Sequence, residues 1–251
     1  MKKLSMVSML LISFGLLGGA SGIFVEAAEN DASTPATATI EKPDENDPND
    51  NGLEGDDSGN PTDPDDDSGF NPDNPNTGTP GLLRIDHAPS SFNFGTIKIG
   101  SKQTKFAALE SGTAIDGTAK EVPNYVKVTD NTGNFAGWEL SVSRTEFVNQ
   151  EDEAQTLDGT TLSFKHAYAN AGSKGEGMPS TVASETAIPV DAKTVLVQAN
   201  ENEGMGEWYY VLGATNEEGA QAVALDVPVK KYTAGSYTST LNWNLTDAPN
   251  A

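Results

Sequence analysis

An acidic, proline-rich segment at residues 28–81 confines any folded core of this 251-residue chain to the residues that follow it. The segment holds 15 acidic residues against one base, Lys42, together with eight prolines and one aromatic residue, Phe70. So little apolar surface cannot offset the entropy lost on ordering, and like charges extend such a chain. We therefore predict a disordered linker at 28–81 and a folded domain at 82–251.

The N-terminus has the pattern of an export signal. Met1, Lys2 and Lys3 form a short positive region, residues 4–17 are apolar, and small residues lead to Ala27. The apolar stretch is shorter than a comfortable bilayer span, which favours a cleaved signal over an uncleaved anchor. We predict a signal peptide at 1–27, a secreted protein, and no membrane attachment after the signal is removed.

The 170 residues from 82 to 251 have the texture of an all-β domain. Short apolar and β-branched runs are bounded by Gly, Asn, Asp and Pro. Residues 237–245 alternate apolar with polar side chains, as a strand with one solvent-facing side does. No sustained amphipathic helix can be placed. These patterns predict an antiparallel β-sandwich or barrel-like domain. Strands are predicted at 82–85, 92–99, 105–109, 125–130, 138–144, 161–166, 194–198, 208–213, 223–227 and 235–245.

Two Trp-x-Leu triplets are the most distinctive motifs of the domain. Trp138 precedes Leu140 by two positions, and Trp243 precedes Leu245 by the same spacing. Residues two apart on a strand share a face, so each pair either fills the core or exposes part of its indole. An exposed indole would suit the apolar C–H faces of a sugar, so both interpretations stay open.

These features resemble those of WxL-domain cell-surface proteins of low-GC Gram-positive bacteria. The resemblance covers the whole chain: signal, acidic linker, the two Trp-x-Leu motifs, a possible opening strand at 89–95, and closing strands at 227–228 and 235–241. The Asp-x-Arg that often precedes the first motif is replaced here by Asp130-Asn131-Thr132.

The resemblance implies non-covalent attachment to the cell wall, with peptidoglycan as the expected polymer and sibling surface proteins as further partners. It assigns motif roles to four residues: Trp138, Leu140, Trp243 and Leu245. The alternative is a structural or adhesive subunit that binds sibling or host proteins.

Composition argues against several other functions. A net charge of -22 disfavours binding to nucleic acid through the general field of the protein, and the absence of cysteine excludes thiolate chemistry. The alternating Asp63, Asp65 and Asp67 lack the Gly and Glu of a calcium loop. His87 and His166 have no recognisable catalytic setting. We therefore predict no catalytic residues, no metal and no cofactor.

Overall fold

The computed structural model describes residues 61–62, 69–73, 78–172 and 175–247. The predicted signal peptide and the segment 63–67 lie outside the described residues. In these residues the chain forms seventeen strands and one helix. They are β1 (Asn71–Pro72), β2 (Leu83–His87), β3 (Gln103–Phe106), β4 (Glu110–Thr113), β5 (Ala119–Val122), β6 (Tyr125–Asp130), β7 (Trp138–Arg144), β8 (Val148–Asn149), β9 (Thr161–Phe164), β10 (Ala167–Ala171), β11 (Thr181–Val182), β12 (Thr186–Ile188), β13 (Thr194–Ala199), β14 (Gly206–Leu212), α1 (Asn216–Ala222), β15 (Val223–Val227), β16 (Tyr237–Thr238) and β17 (Leu241–Asp247).

Three four-stranded antiparallel sheets make up most of the domain. Their strand orders are β10-β14-β6-β2, β11-β13-β7-β17 and β12-β9-β15-β3. A smaller sheet, β1-β4-β5, and the pair β16-β8 complete the described structure. Each neighbouring pair of strands runs antiparallel, which confirms the predicted all-β antiparallel class.

The three larger sheets share one apolar core. Alternate residues of their central strands point into it, including Val126 and Val128 of β6, Leu140 of β7, and Leu162 and Leu225 of β9 and β15. All five are at most 1% exposed. The period-two alternation of the sequence is therefore the alternation of core-facing and outward-facing side chains.

Folded structure begins before the predicted boundary at residue 82. Phe70 is 1% exposed and lies in a second apolar cluster, with its ring edge-on to Tyr125 at 6.3 Å between centroids. The next two residues form β1, which pairs with β4 across Gly112. The one aromatic residue of the acidic segment is thus a core residue, whereas the linker assignment stays a prediction for residues 28–60, 63–68 and 74–77, which lie outside the described residues.

Two local predictions are wrong, and one short helix was not predicted. Residues 92–99 are not a strand, because Phe92 and Phe94 reach the core from an irregular segment. The single strand predicted across 235–245 is interrupted: β16 pairs with β8, whereas β17 pairs with β7. The short helix α1 went unpredicted, although Thr215 accepts a hydrogen bond from Glu218 N in a capping arrangement that is visible in the sequence.

We expect Phe70→Ala to destabilise the domain even though Phe70 lies in the acidic segment. Emptying a fully buried aromatic site costs about 3–5 kcal/mol of unfolding free energy, measurable by urea denaturation. The matched control is Phe135→Ala, since Phe135 is 47% exposed. Equal stability of the two variants would contradict the placement of Phe70 in the core.

Candidate functional site

The first Trp-x-Leu motif begins β7 and faces the core. Trp138 is 1% exposed and Leu140 is fully buried. The indole Nε1 of Trp138 donates a hydrogen bond to the carbonyl of Gly204 at 2.7 Å. Both the ring and the polar N–H of this tryptophan are therefore satisfied inside the protein, as the core-filling interpretation requires.

Two glycines allow close packing around this motif, Gly137 against β13 and Gly204 against the indole. Gly137 has φ +77°, and a Cβ there would lie 2.3 Å from the carbonyl oxygen of Ala199. Gly204 has φ +74°, and a Cβ there would lie 2.4 Å from Nε1 of Trp138. The glycine that precedes the motif is thus needed both for its backbone conformation and for the close approach of β13.

The second motif lies directly beside the first. β17 pairs antiparallel with β7, so that Leu245 stands opposite Leu140 and Trp243 stands opposite Val142. Opposite residues share a face, which places the motif side chains of both strands on the core side of this sheet. Sequence reasoning assigned the four residues to strands but did not bring the two strands together.

Trp243 differs from Trp138 because it is only half-buried. Its ring stacks on Phe164 at 5.9 Å between centroids, with the ring planes 11° apart. Its exposed part lines a small cavity of about 240 Å³, together with Gly78, Ile85 and Leu241 among others. Trp243 therefore combines core packing with a solvent-facing edge, and a ligand contact by any motif residue stays a prediction.

A larger open cavity lies next to this sheet, and we call it the aromatic groove. Its volume is about 780 Å³. The residues that line it combine aromatic and aliphatic side chains with hydroxyl and amide groups; they are residues 91–97, Ile99, Phe147, Leu157, Leu225 and 232–237. Among these described lining residues none carries a charge.

The aromatic groove is physically connected to both motif strands. Phe147 follows β7 along the chain, and residues 232–237 immediately precede β17. Phe92 meets Phe164 at 5.9 Å between centroids, and Phe164 in turn stacks on Trp243. A change at Trp243 therefore reaches a wall of the groove through two ring contacts.

The hydroxyl groups of two groove tyrosines donate hydrogen bonds to backbone carbonyls, which fixes the rings in place. Tyr232 donates to the carbonyl of Asp158 at 3.0 Å, and Tyr237 donates to the carbonyl of Thr233 at 2.7 Å. Burial raises the pKa of Tyr232 above its ordinary value, so the hydroxyl stays protonated at neutral pH. Both rings are thus held in place, and Tyr232 is uncharged.

The two histidines have structural environments away from the groove. Nε2 of His87 lies 2.9 Å from Oε1 of the partly buried Glu110, and its ring stacks on Tyr125 at 4.4 Å. His166 is exposed in the turn between β9 and β10, with φ 54°. His166 is thus a surface residue, whereas His87 is buried. In the described part of the chain, no group of three or more His, Asp or Glu could hold a metal ion.

We expect Trp138→Ala to lower the unfolding free energy by about 3–5 kcal/mol, because it empties a buried site and leaves the Gly204 carbonyl without its donor. Trp243→Ala should cost less, since part of that ring already faces solvent. Urea denaturation measures both. Asn244→Ala, on the exposed face of β17, is the control and should stay within about 0.5 kcal/mol of the parent. A larger loss for Trp243 than for Trp138 would contradict this ranking.

We expect Gly137→Ala to destabilise the domain more than Gly95→Ala. Both glycines have positive φ, which costs an L-residue about 1–2 kcal/mol. Only Gly137 adds a clash, since a Cβ at Gly95 would meet nothing within 4 Å. Thermal denaturation measures the loss of stability in each variant and so separates backbone strain from steric conflict. An equal loss of stability in the two variants would show that the close approach of β13 is not needed.

Comparison with known proteins gives one assignment. No curated protein and no solved structure shows significant similarity to the chain. The family model described as a WxL domain, surface cell wall-binding, matches residues 27–249. That match includes both motif strands and the groove, and the family is a binding family rather than an enzyme family. The chain belongs to the WxL family of surface, cell wall-binding domains.

Proposed function

We propose that this chain is an exported, non-catalytic surface protein whose WxL domain attaches it non-covalently to peptidoglycan. The observation that carries the proposal is the uncharged aromatic groove beside the two motif strands. Open clefts with aromatic walls and a few polar groups are typical of ligand sites, and this one has a typical volume. The signal pattern at residues 1–27 supports export.

Within the described residues, no helix is long and apolar enough to cross a bilayer.

The negative charge of both parts of the chain indicates that the wall is bound through short-range contacts rather than through charge attraction. Residues 28–81 carry a net charge of -14 and residues 82–251 a net charge of -9. Peptidoglycan carboxylates and teichoic acid phosphates repel such a chain, and salt screens that repulsion beyond about 10 Å at 0.1 M. Stacking and hydrogen bonding in the groove do not depend on the sign of these charges.

Lys98, Lys102 and Lys105 lie within eight residues of one another and offer a positive contact for anionic wall polymers. Lys98 and Lys102 are exposed, and Lys105 lies on β3, an outer strand of its sheet. Lysines on an outer strand deter pairing with a foreign strand, which is a sufficient role for Lys105. The cluster is therefore not needed to explain wall binding.

The alternative function is a structural or adhesive subunit that binds sibling or host proteins. It draws support from β17, which is the outer strand of its sheet and presents Asn242, Asn244 and Thr246 on an exposed face. An outer strand can pair with a strand of another protein. Such a partner and peptidoglycan can bind the same domain, because β17 and the groove offer different surfaces.

We expect the full chain to co-sediment with purified peptidoglycan, and binding to persist or strengthen as salt rises from low to moderate. Screening weakens the repulsion between two acidic polymers and leaves stacking contacts unchanged. Sedimentation of the bound fraction at several salt concentrations measures the effect. A steady collapse of binding with salt would show that charge attraction dominates.

The matched control is the triple variant Lys98→Gln, Lys102→Gln and Lys105→Gln, which removes the positive cluster without adding carboxylates and should bind as the parent does at moderate salt. Failure of the parent chain to sediment with peptidoglycan, together with binding to a sibling surface protein, would favour the alternative function. Release of soluble fragments from the polymer during incubation would contradict a non-catalytic role.

A further inference from the structure

We infer that the aromatic groove binds the neutral glycan strand of the wall, a polymer of N-acetylated hexosamines, rather than its stem peptides or an anionic wall polymer. This inference rests on the proposed wall-binding function and specifies its contact. The assigned site is the space between Phe94, Tyr232 and Tyr237.

The described residues that line the aromatic groove carry no charge, which favours a neutral ligand over an anionic one. The whole chain has a net charge of -22, yet the lining residues are uncharged. Three lysines adjoin the lining in sequence: Lys230 is paired, with Nζ 2.6 Å from Oδ2 of Asp158, whereas Lys98 and Lys231 are exposed and do not line the groove. The lining therefore supplies no cation to a phosphate or to a stem-peptide carboxylate. Such an anion would lose hydration in the groove without gaining an ion pair there, which is unfavourable. A neutral sugar does not meet this penalty.

The aromatic rings supply surfaces of the right kind. Tyr232 and Tyr237 are half-buried, so each ring has one supported and one open region. Their hydroxyls are bonded to backbone carbonyls, and Phe94 packs edge-on to Phe147 at 6.4 Å. Rings held in place in the free protein lose little entropy on binding, which favours stacking against the flat C–H faces of sugar rings.

Polar groups beside the rings match the other side of a sugar. Ser91, Asn93, Thr96 and Ser236 are exposed and line the same space. Hydroxyl and amide side chains can both donate and accept, as sugar hydroxyls and acetamido groups require. The volume of about 780 Å³ lies inside the range of small-ligand sites.

The test uses calorimetric titration of the full chain with the tetrasaccharide of N-acetylglucosamine, a soluble neutral probe. We expect saturable binding that Tyr237→Ala and Tyr232→Ala each weaken about tenfold, the change that ~1.4 kcal/mol of lost stacking produces. Tyr237→Phe keeps the ring and should bind within a few-fold of the parent. Phe135→Ala, which removes an exposed aromatic ring outside the groove, should bind as the parent does.

Melting temperatures of all variants are measured in parallel, and a variant that melts with the parent but binds weakly supports a direct contact. Three results would overturn the inference: no binding of the tetrasaccharide by a chain that sediments with peptidoglycan, parent-like binding by both alanine variants, or displacement of peptidoglycan by stem peptide or polyglycerol phosphate but not by the tetrasaccharide. In each of these cases the proposed wall binding stands. Loss of sedimentation with peptidoglycan by the parent chain overturns the proposed function itself.

Discussion

The pairing of β7 with β17 is the constraint on which the rest of the site depends. It joins residues 138–144 to residues 241–247, so the chain must close a loop of about a hundred residues before this sheet can form. Its register decides which side chains are buried: a slip by one residue would turn Asn242 and Asn244 inward and Trp243 outward. The leucines opposite each other at 140 and 245 fix that register through an apolar contact.

The same register builds the walls of the aromatic groove. Phe147 lies just beyond the end of β7, and Tyr237 lies just before the start of β17, so alignment of the two strands brings both residues to the same edge. Phe164 then connects Trp243 on one side to Phe92 on the other. The groove is therefore a consequence of motif packing, although none of the four motif residues lines it.

Much of the fold is predictable from alternation alone. The bounds of β6, β7 and β15 agree with the predicted strands because each has an apolar face toward the shared core. Pairing between distant strands is not encoded in local alternation, so the contact between the two motifs could not be predicted, and neither could the groove. Phe92 and Phe94 show the limit of the method, since they alternate like strand residues but lie in an irregular segment.

Phe70 and Trp243 show why burial and function must be argued separately in this domain. An aromatic residue within an acidic segment is a core residue when the folded domain offers it a pocket, as Tyr125, Tyr209 and Val211 do for Phe70. A motif residue can likewise be required for wall attachment without touching the wall. Removing Trp243 would free one face of Phe164 and loosen its contact with Phe92, which is a groove residue. Loss of attachment in such a variant would thus report the integrity of the groove before it reports any contact made by the indole.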